Sequence, residues 1–455
     1  MVVVNETLIS SVVSILKEQR SKSRWNFIKT LYPNGFSPKE VSEITLRIKN
    51  NPRLALRFFL WSERKALCTH DLISYSTIIH ILARSRLKTL SQTLIQSAMR
   101  VSEPVNTDRP PKIFETLTKT YRQCDSAPFV FDLLIRACLE SKKTDQTIAI
   151  VRLLRSQGIF PTIGTCNLLL KSVSQVKGSD SCLAIYKEIF ILDVAIASRV
   201  KARVSANVQT LNILMLAFYR DGMMEKVVDI WNEMMGSLSF NGQPNVFSYS
   251  VLLATLCDQR KITEAMRLWE GMQSKGIKAD VTSYNTLIKG LCENRDVEKA
   301  EEIFREMLLN QIHSTSFTYE HLIRGYCEIG DIDSAILLYR DMRKTEGFQP
   351  EAHIVEEMIR ALCEKSRVSE AMDLFRDAMK KNDFFATELS YEVLIRGLCE
   401  EGKIDDALKL QSEMVGRGFE LNVEMYKVFI SAYDKQGNEE KSRELKKEMD
   451  EFGLG

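Results

Sequence analysis

Cysteine, histidine and paired carboxylates are the side chains of this sequence able to do covalent or metal chemistry, and their spacing argues against both. Five of the ten cysteines, Cys257, Cys292, Cys327, Cys363 and Cys399, recur at intervals of 35, 35, 36 and 36 residues. Equivalent points on stacked helices stand about 8 to 10 Å or more apart, beyond disulfide reach. These thiols are read as small apolar fillers in a reducing compartment. There is no close cysteine pair or Cys/His cluster of zinc type, and the five histidines, His70, His80, His313, His321 and His353, show no ligand spacing. A phosphate-cradling glycine loop, a dinucleotide fingerprint and a nucleophile elbow are all missing. Glu301 and Glu302 read as solvated helix positions. The expectation is no catalytic residue, no cofactor, no metal and no small-molecule substrate.

A second set of side chains offers hydrogen bonds: Asn167, Asn212, Ser250 and Asn285, an amide or hydroxyl in one register of a tandem repeat. The repeat is plain in SYSVLLATLC from Ser248, SYNTLIKGLC from Ser283, TYEHLIRGYC from Thr318 and SYEVLIRGLC from Ser390. With each unit begun two residues earlier, starts fall at Val246, Val281, Ser316, Ala352, Glu388 and Val423, a period of 35 or 36 residues. That period marks a solenoid of supersecondary units.

Each unit reads as two helices. Tyr284, Leu287, Ile288 and Leu291 form one apolar stripe at i, i+3, i+4 and i+7, with Ser283 expected to cap the helix. A polar break from Glu293 to Asp296 follows. A second helix then carries Ala300, Phe304 and Met307, matching Ala265, Trp269 and Met272 one unit earlier and Ala335, Tyr339 and Met342 one unit later. Neither helix can bury its stripe alone, so stability is expected from stacking on neighbours. Gly158, Gly276 and Gly418 suit the left-handed residue that ends a helix.

The template extends upstream through Val208, Ile163, Pro128 and Leu72, with Ser74, Thr165 and Thr210 in the expected capping slot. The expected layout is an N-terminal segment 1–71 with a degenerate first unit, 72–127 holding one unit plus an extra helix, and the array proper over 128–455. Extra residues before Val208, including FILDVAIASRVKARVSAN, are expected after a second helix, where they disturb stacking least. The first thirty residues carry Lys17, Arg20, Lys22, Arg24 and Lys29 and an amphipathic Leu8, Val12, Val13, Leu16 pattern. Two readings stand: an organelle transit segment or the capping helix of a solenoid.

Charge is balanced, 62 Lys plus Arg against 60 Asp plus Glu, which excludes a generically basic nucleic-acid binder. No apolar run reaches the length of a membrane span.

The Tyr-x-x-Leu-Ile-x-Gly-Leu-Cys first helix, the Ala-x-x-Leu-Phe-x-Glu-Met type of second helix and the 35-residue period closely resemble the pentatricopeptide repeats of plant organelles. The resemblance runs from Leu72 to the C-terminus and is closest to the plain, P-type subclass, without an editing or nuclease domain. It implies an all-α, right-handed superhelical solenoid of about ten stacked helix-turn-helix units. It also implies binding of single-stranded RNA, one nucleotide per repeat, in support of organellar transcript stability, processing, splicing or translation. The compartment implied is the mitochondrion, with the plastid as alternative.

In that family the base is read by the residue after the Tyr together with the last residue of the unit. On this chain the resemblance pairs Asn167 with Asn207, Asn212 with Asn245, Ser250 with Asp280 and Asn285 with Thr315. It implies pyrimidine, pyrimidine, guanine and pyrimidine from the 5′ side. A helical step of 100° takes the slot off the apolar stripe to the groove side.

Two departures stand against this. Asp132, Glu320, Glu356, Glu392 and Lys427 fill the reading slot of other units and imply no base. Lys289, Arg324, Arg360 and Arg396 are candidate phosphate contacts, yet each is followed four residues on by Glu293, Glu328, Glu364 or Glu400, and Arg136 by Glu140. That stripe reads either as i,i+4 ion pairs on a solvated face or as phosphate contacts oriented by acids. The competing function is a protein scaffold like the tetratricopeptide solenoids. A hybrid would put RNA at the centre and a protein partner at the glutamate-bearing C-terminal repeats.

Overall fold

The computed structural model describes residues 6–18, 25–101, 111–191, 205–236, 242–345, 348, 350–380 and 386–451, and these are all-α. The chain forms two compact units, Met1–Gln243 and Pro244–Gly455.

The second unit is a run of six helix pairs. First helices span Val246–Asp258, Val281–Glu293, Ser316–Ile329, Ala352–Glu364, Glu388–Glu400 and Val423–Lys435. Their partners span Ile262–Ser274, Val297–Leu309, Ile332–Lys344, Val368–Lys380, Ile404–Gly416 and Glu439–Glu451. Each first helix packs on its own partner and on the first helix of the next pair. The stripe of Tyr284, Leu287, Ile288 and Leu291 is buried, as are Ala300, Phe304 and Met307 of the partner helix.

Two contacts repeat along the stack. The aromatic of a second helix meets the Tyr of the following first helix edge to face: Trp269 with Tyr284 at 4.9 Å, Phe304 with Tyr319 at 5.5 Å, Phe375 with Tyr391 at 5.3 Å. The repeated cysteine meets a glycine of the next first helix. A Cβ on Gly290 would stand 2.3 Å from Cys257 Sγ, and one on Gly325 2.8 Å from Cys292 Sγ. Only a hydrogen there lets successive first helices approach this closely. All ten cysteines are free, and burial pushes the thiols of Cys257, Cys292, Cys327 and Cys363 up to about 12, so they sit protonated as packing groups.

Gly158, Gly276 and Gly418 do end their units with φ of +74, +70 and +92°. A second left-handed position closes each first helix, and there several units hold side-chain residues: Arg260 at φ 58°, Arg295 at 61° and Ser366 at 58°.

In the first unit, Leu72–Arg84 pairs with Lys88–Val101, followed by the extra helix Lys112–Thr120 and the pair Phe129–Glu140 and Thr144–Ser156. The next repeat keeps the hairpin plan: within Ile163–Phe190 the chain turns at Gly178, where φ is +80°, and folds back so that the Cys182 thiol lies 3.5 Å from the Leu170 carbonyl. Val208–Arg220 and Met224–Gly236 complete the unit. The helix Glu6–Glu18 buries Ile9, Val12, Val13 and Leu16 and packs on Pro38–Arg47, as a capping helix would. Arg20, Lys22 and Arg24, and residues 192–204 of the insertion, lie outside the described residues. No helix among the described residues is long and apolar enough to cross a membrane.

Candidate nucleic-acid interface

Ser283, expected as a helix cap, is not one. The cap is Asp280, the last residue of the preceding unit, whose Oδ1 accepts from the Ser283 backbone N–H at 2.8 Å and from the Ser283 hydroxyl at 2.7 Å. The same shift by three residues holds for Asp71 with Ser74, Thr162 with Thr165, Asn207 with Thr210 and Asn245 with Ser248. At Asn207 and Asn245 the arrangement is a full capping box, in which the Thr210 or Ser248 hydroxyl also accepts from the cap's own backbone N–H; Asp71 and Asp280 cap through the carboxylate alone, and Thr162, at the cap position, makes no side-chain capping bond. The terminal residues that the family resemblance assigns to base reading are thus also the caps that start the next first helix.

The reading slot points at those caps. Asn285 Nδ2 donates to Thr315 Oγ1 at 3.1 Å, and the Thr318 hydroxyl donates to Asn285 Oδ1 at 2.7 Å. Asn167 Nδ2 donates to Asn207 Oδ1 at 3.2 Å and to Gln209 Oε1 at 3.4 Å, while Thr210 donates to Asn167 Oδ1 at 2.8 Å. Ser250 reaches Asp280 through a relay, its hydroxyl 2.8 Å from that of Ser283. Asn212 and Asn245 fall in different units, and each has hydrogen-bonding or electrostatic company. The expectation of an open row of amides on the groove gives way here. Asn167, Asn212 and Ser250 are 3, 5 and 8 % exposed, and Asn285 alone is half-buried. One step off the stripe faces the N-terminus of the next first helix, because first helices pack on one another.

Carboxylates in the slot make the same contact. Asp132 Oδ1 accepts from the backbone and hydroxyl of Thr162, both at 2.9 Å. Glu356 Oε1 accepts from Thr387 and, at 3.1 Å, from Ser390. Glu392 instead takes Arg396 at 2.7 Å, and Lys427 pairs with Glu424 at 3.0 Å. Glu320 is 4 % exposed; burial chiefly, then the nearby Glu351 carboxylate, raises its pKa.

The basic stripe resolves unevenly. Only Lys289 makes the expected i,i+4 pair, 3.6 Å from Glu293. Arg324 reaches forward to Glu357 of the next repeat at 3.0 Å, Arg396 reaches back to Glu392, and Glu140 accepts from Gln92 and Gln96 in place of Arg136. The Lys-before-Glu order is the weaker geometry on a helix, so better-placed partners win. Arg360 has no ion-pair partner among the described residues.

The histidines also gain a relation that spacing along the chain hides. Donor atoms of Glu320, Glu351 and His353 lie within 4.8 Å of one another. Thirty-one residues separate the first two, so only the stacking of consecutive repeats brings them together.

The PPR repeat family matches residues 244–293, 279–328, 356–400 and 386–435, and the PPR repeat matches 209–237 and 317–345. A pentatricopeptide repeat-containing protein of Arabidopsis thaliana is 47 % identical over 234 residues, covering 50 % of this chain and 47 % of that protein. Another from the same plant, named mitochondrial, is 26 % identical over 177 residues, 39 % of this chain and 33 % of its own length. The chain thus spans about half or less of the relatives it matches. The crystal structure of the maize pentatricopeptide repeat protein PPR10 covers 98 % of this chain and 74 % of its own, at 16 % identity and a TM-score of 0.43.

Proposed function

Because this chain is a pentatricopeptide repeat protein, we propose that it binds single-stranded RNA sequence-selectively, as a P-type organellar member supporting transcript stability, processing, splicing or translation. The mitochondrial names of several relatives support that compartment over the plastid.

One observation carries the reading. A carboxamide offers two N–H donors and two acceptor lone pairs. Asn285 spends one donor on Thr315 and one lone pair on Thr318. Its rotamer is thereby fixed, and one N–H and one lone pair remain on a half-exposed group. A donor beside an acceptor is what a base edge needs, and fixing the side chain in advance lowers the cost of ordering it on binding. Asn285 with Thr315 is therefore the leading pair, followed by Ser250 with Asp280. Asn167 ranks below both, since its amide nitrogen already serves Asn207 and Gln209. Asn212 and Asn245 are each carried as base-reading candidates, and Lys289, Arg324, Arg360 and Arg396 as phosphate contacts.

The glutamates favour a second reading for the C-terminal repeats. Glu356 and Glu392 put half-buried carboxylates in the slot where a base would be read, beside the RNA path, and a protein partner with basic groups suits them better. Selection from random single-stranded RNA with purified protein at low salt tests both. Enrichment of a common short core supports RNA recognition, and a pool left unchanged supports the scaffold.

A further inference from the structure

Two carboxylate slots face no hydroxyl on the next helix, Glu392 opposite Met425 and Glu320 opposite Ile354, but Glu392 is half-buried and takes Arg396 whereas Glu320 is buried. Where Glu356 meets Ser390 and Asn285 meets Thr318, the corresponding residue opposite Glu320 is Ile354, three residues past the cap. The cap itself is Glu351, whose side chain makes no capping bond. Glu320 is consequently buried with its Oε1 lacking any hydrogen-bond partner among the described residues. Arg324, one turn along, pairs with Glu357 and reaches Glu320 only through its charge, while the backbone N–H of Glu351 donates to the Glu320 carboxylate and leaves Oε1 without a partner among those residues.

Two further donors converge on this orphaned oxygen's carboxylate. Glu351 and His353 are exposed side chains beside the buried Glu320, and the three bring one ligand atom each within 4.8 Å of the others. His353 Nδ1 lies 3.2 Å from Glu351 Oε2, so the ring is already oriented toward the carboxylates. We propose that Glu320, Glu351 and His353 bind one divalent transition-metal ion of the zinc class across the boundary between the Ser316 and Ala352 repeats. Two carboxylate oxygens and one imidazole nitrogen make a three-ligand set that zinc accepts, with water completing the tetrahedron. The two carboxylates supply the charge that outweighs the repulsion of a cation at a helix N-terminus. The ion would replace the donor that Ile354 cannot provide, and would lock two repeats together at a slot with no base to read. The site stands independently of RNA binding and is read without RNA.

The test uses the full chain, stripped of metal with a chelator and titrated with Zn²⁺ by calorimetry, beside the variants Glu320→Gln and His353→Ala. His353 is exposed enough that its loss leaves the packing intact, and Glu320→Gln keeps the side-chain shape. One zinc per chain in the parent, weakened at least about tenfold in both variants, supports the site. Co²⁺ as the spectroscopic probe should then bind without a thiolate charge-transfer band, since no cysteine belongs to the set. Equal affinity and stoichiometry in parent and variants, a thiolate band, or no zinc bound by the parent would each overturn the proposal.

Discussion

Asn285 and Thr315, thirty residues apart in the chain, are joined by a hydrogen bond of 3.1 Å from Nδ2 to the threonine hydroxyl. The pair that would read a base is therefore also the joint between one repeat and the cap of the next. Stacking and recognition are built on the same atoms.

Replacing Asn285 by Asp keeps an acceptor for the Thr318 hydroxyl and removes the free N–H. Asp132 already occupies this slot in another repeat with hydroxyl contact intact, so the fold should hold. Asn285→Asp should weaken binding to an RNA carrying the selected core by about 5- to 150-fold, the equivalent of roughly 1 to 3 kcal/mol for one base contact, and adding Asn212→Asp should weaken it further. Glu392→Ala should leave affinity unchanged in the same fluorescence anisotropy titration. Equal losses in both would remove the slot from the recognition surface.

The cysteine and glycine contact gives a stability test with its own control. Gly290→Ala places a methyl group 2.3 Å from Cys257 Sγ and 2.6 Å from its Cβ. Overpacking of this kind costs about 1 to 3 kcal/mol. Gly271→Ala, in the helix Ile262–Ser274 with nothing within 4 Å, should be neutral or stabilising by up to about 1 kcal/mol through helix propensity. Urea denaturation followed by circular dichroism compares the two, and the opposite ranking would show that first helices do not stack at this distance.

At Arg295 the backbone adopts φ 61°, where a side chain clashes with its own carbonyl. Arg295→Gly should therefore raise stability by about 1 kcal/mol, less the entropy that glycine adds to the unfolded chain. Arg295→Val should lower it, since a β-branched residue tolerates this region least. Thermal melting of both variants against the parent checks the sign.

His80 supplies a pH dependence. It is fully buried between Ser126 Oγ at 2.7 Å, Leu117 O at 3.1 Å and Thr120 Oγ1 at 3.1 Å. Burial lowers its pKa to about 4 from the ordinary 6.5. The folded form holds the ring neutral while the unfolded chain protonates it, so between pH 6.5 and 4 the unfolded state binds more protons. Stability should fall as pH drops through that window, by up to about 1.4 kcal/mol per pH unit from this group. His80→Asn should flatten that part of the profile; an unchanged slope would mean the ring is charged in the fold.

Much was legible in the sequence because it is local. Apolar spacing at Tyr284, Leu287, Ile288 and Leu291, the Ala300, Phe304 and Met307 pattern, and glycines at Gly158, Gly276 and Gly418 follow from 3.6 residues per turn and the steric freedom of glycine. The cysteines read correctly as fillers for the same reason, since one register in five units excludes pairing. What sequence could not settle is the angle at which successive hairpins meet. That angle turns the slot after the tyrosine toward the next cap, sends Arg324 to Glu357, and gathers Glu320, Glu351 and His353. Helix formation depends on near neighbours in the chain, whereas these contacts depend on side chains about thirty residues away, and only the packing of whole repeats decides which of them touch.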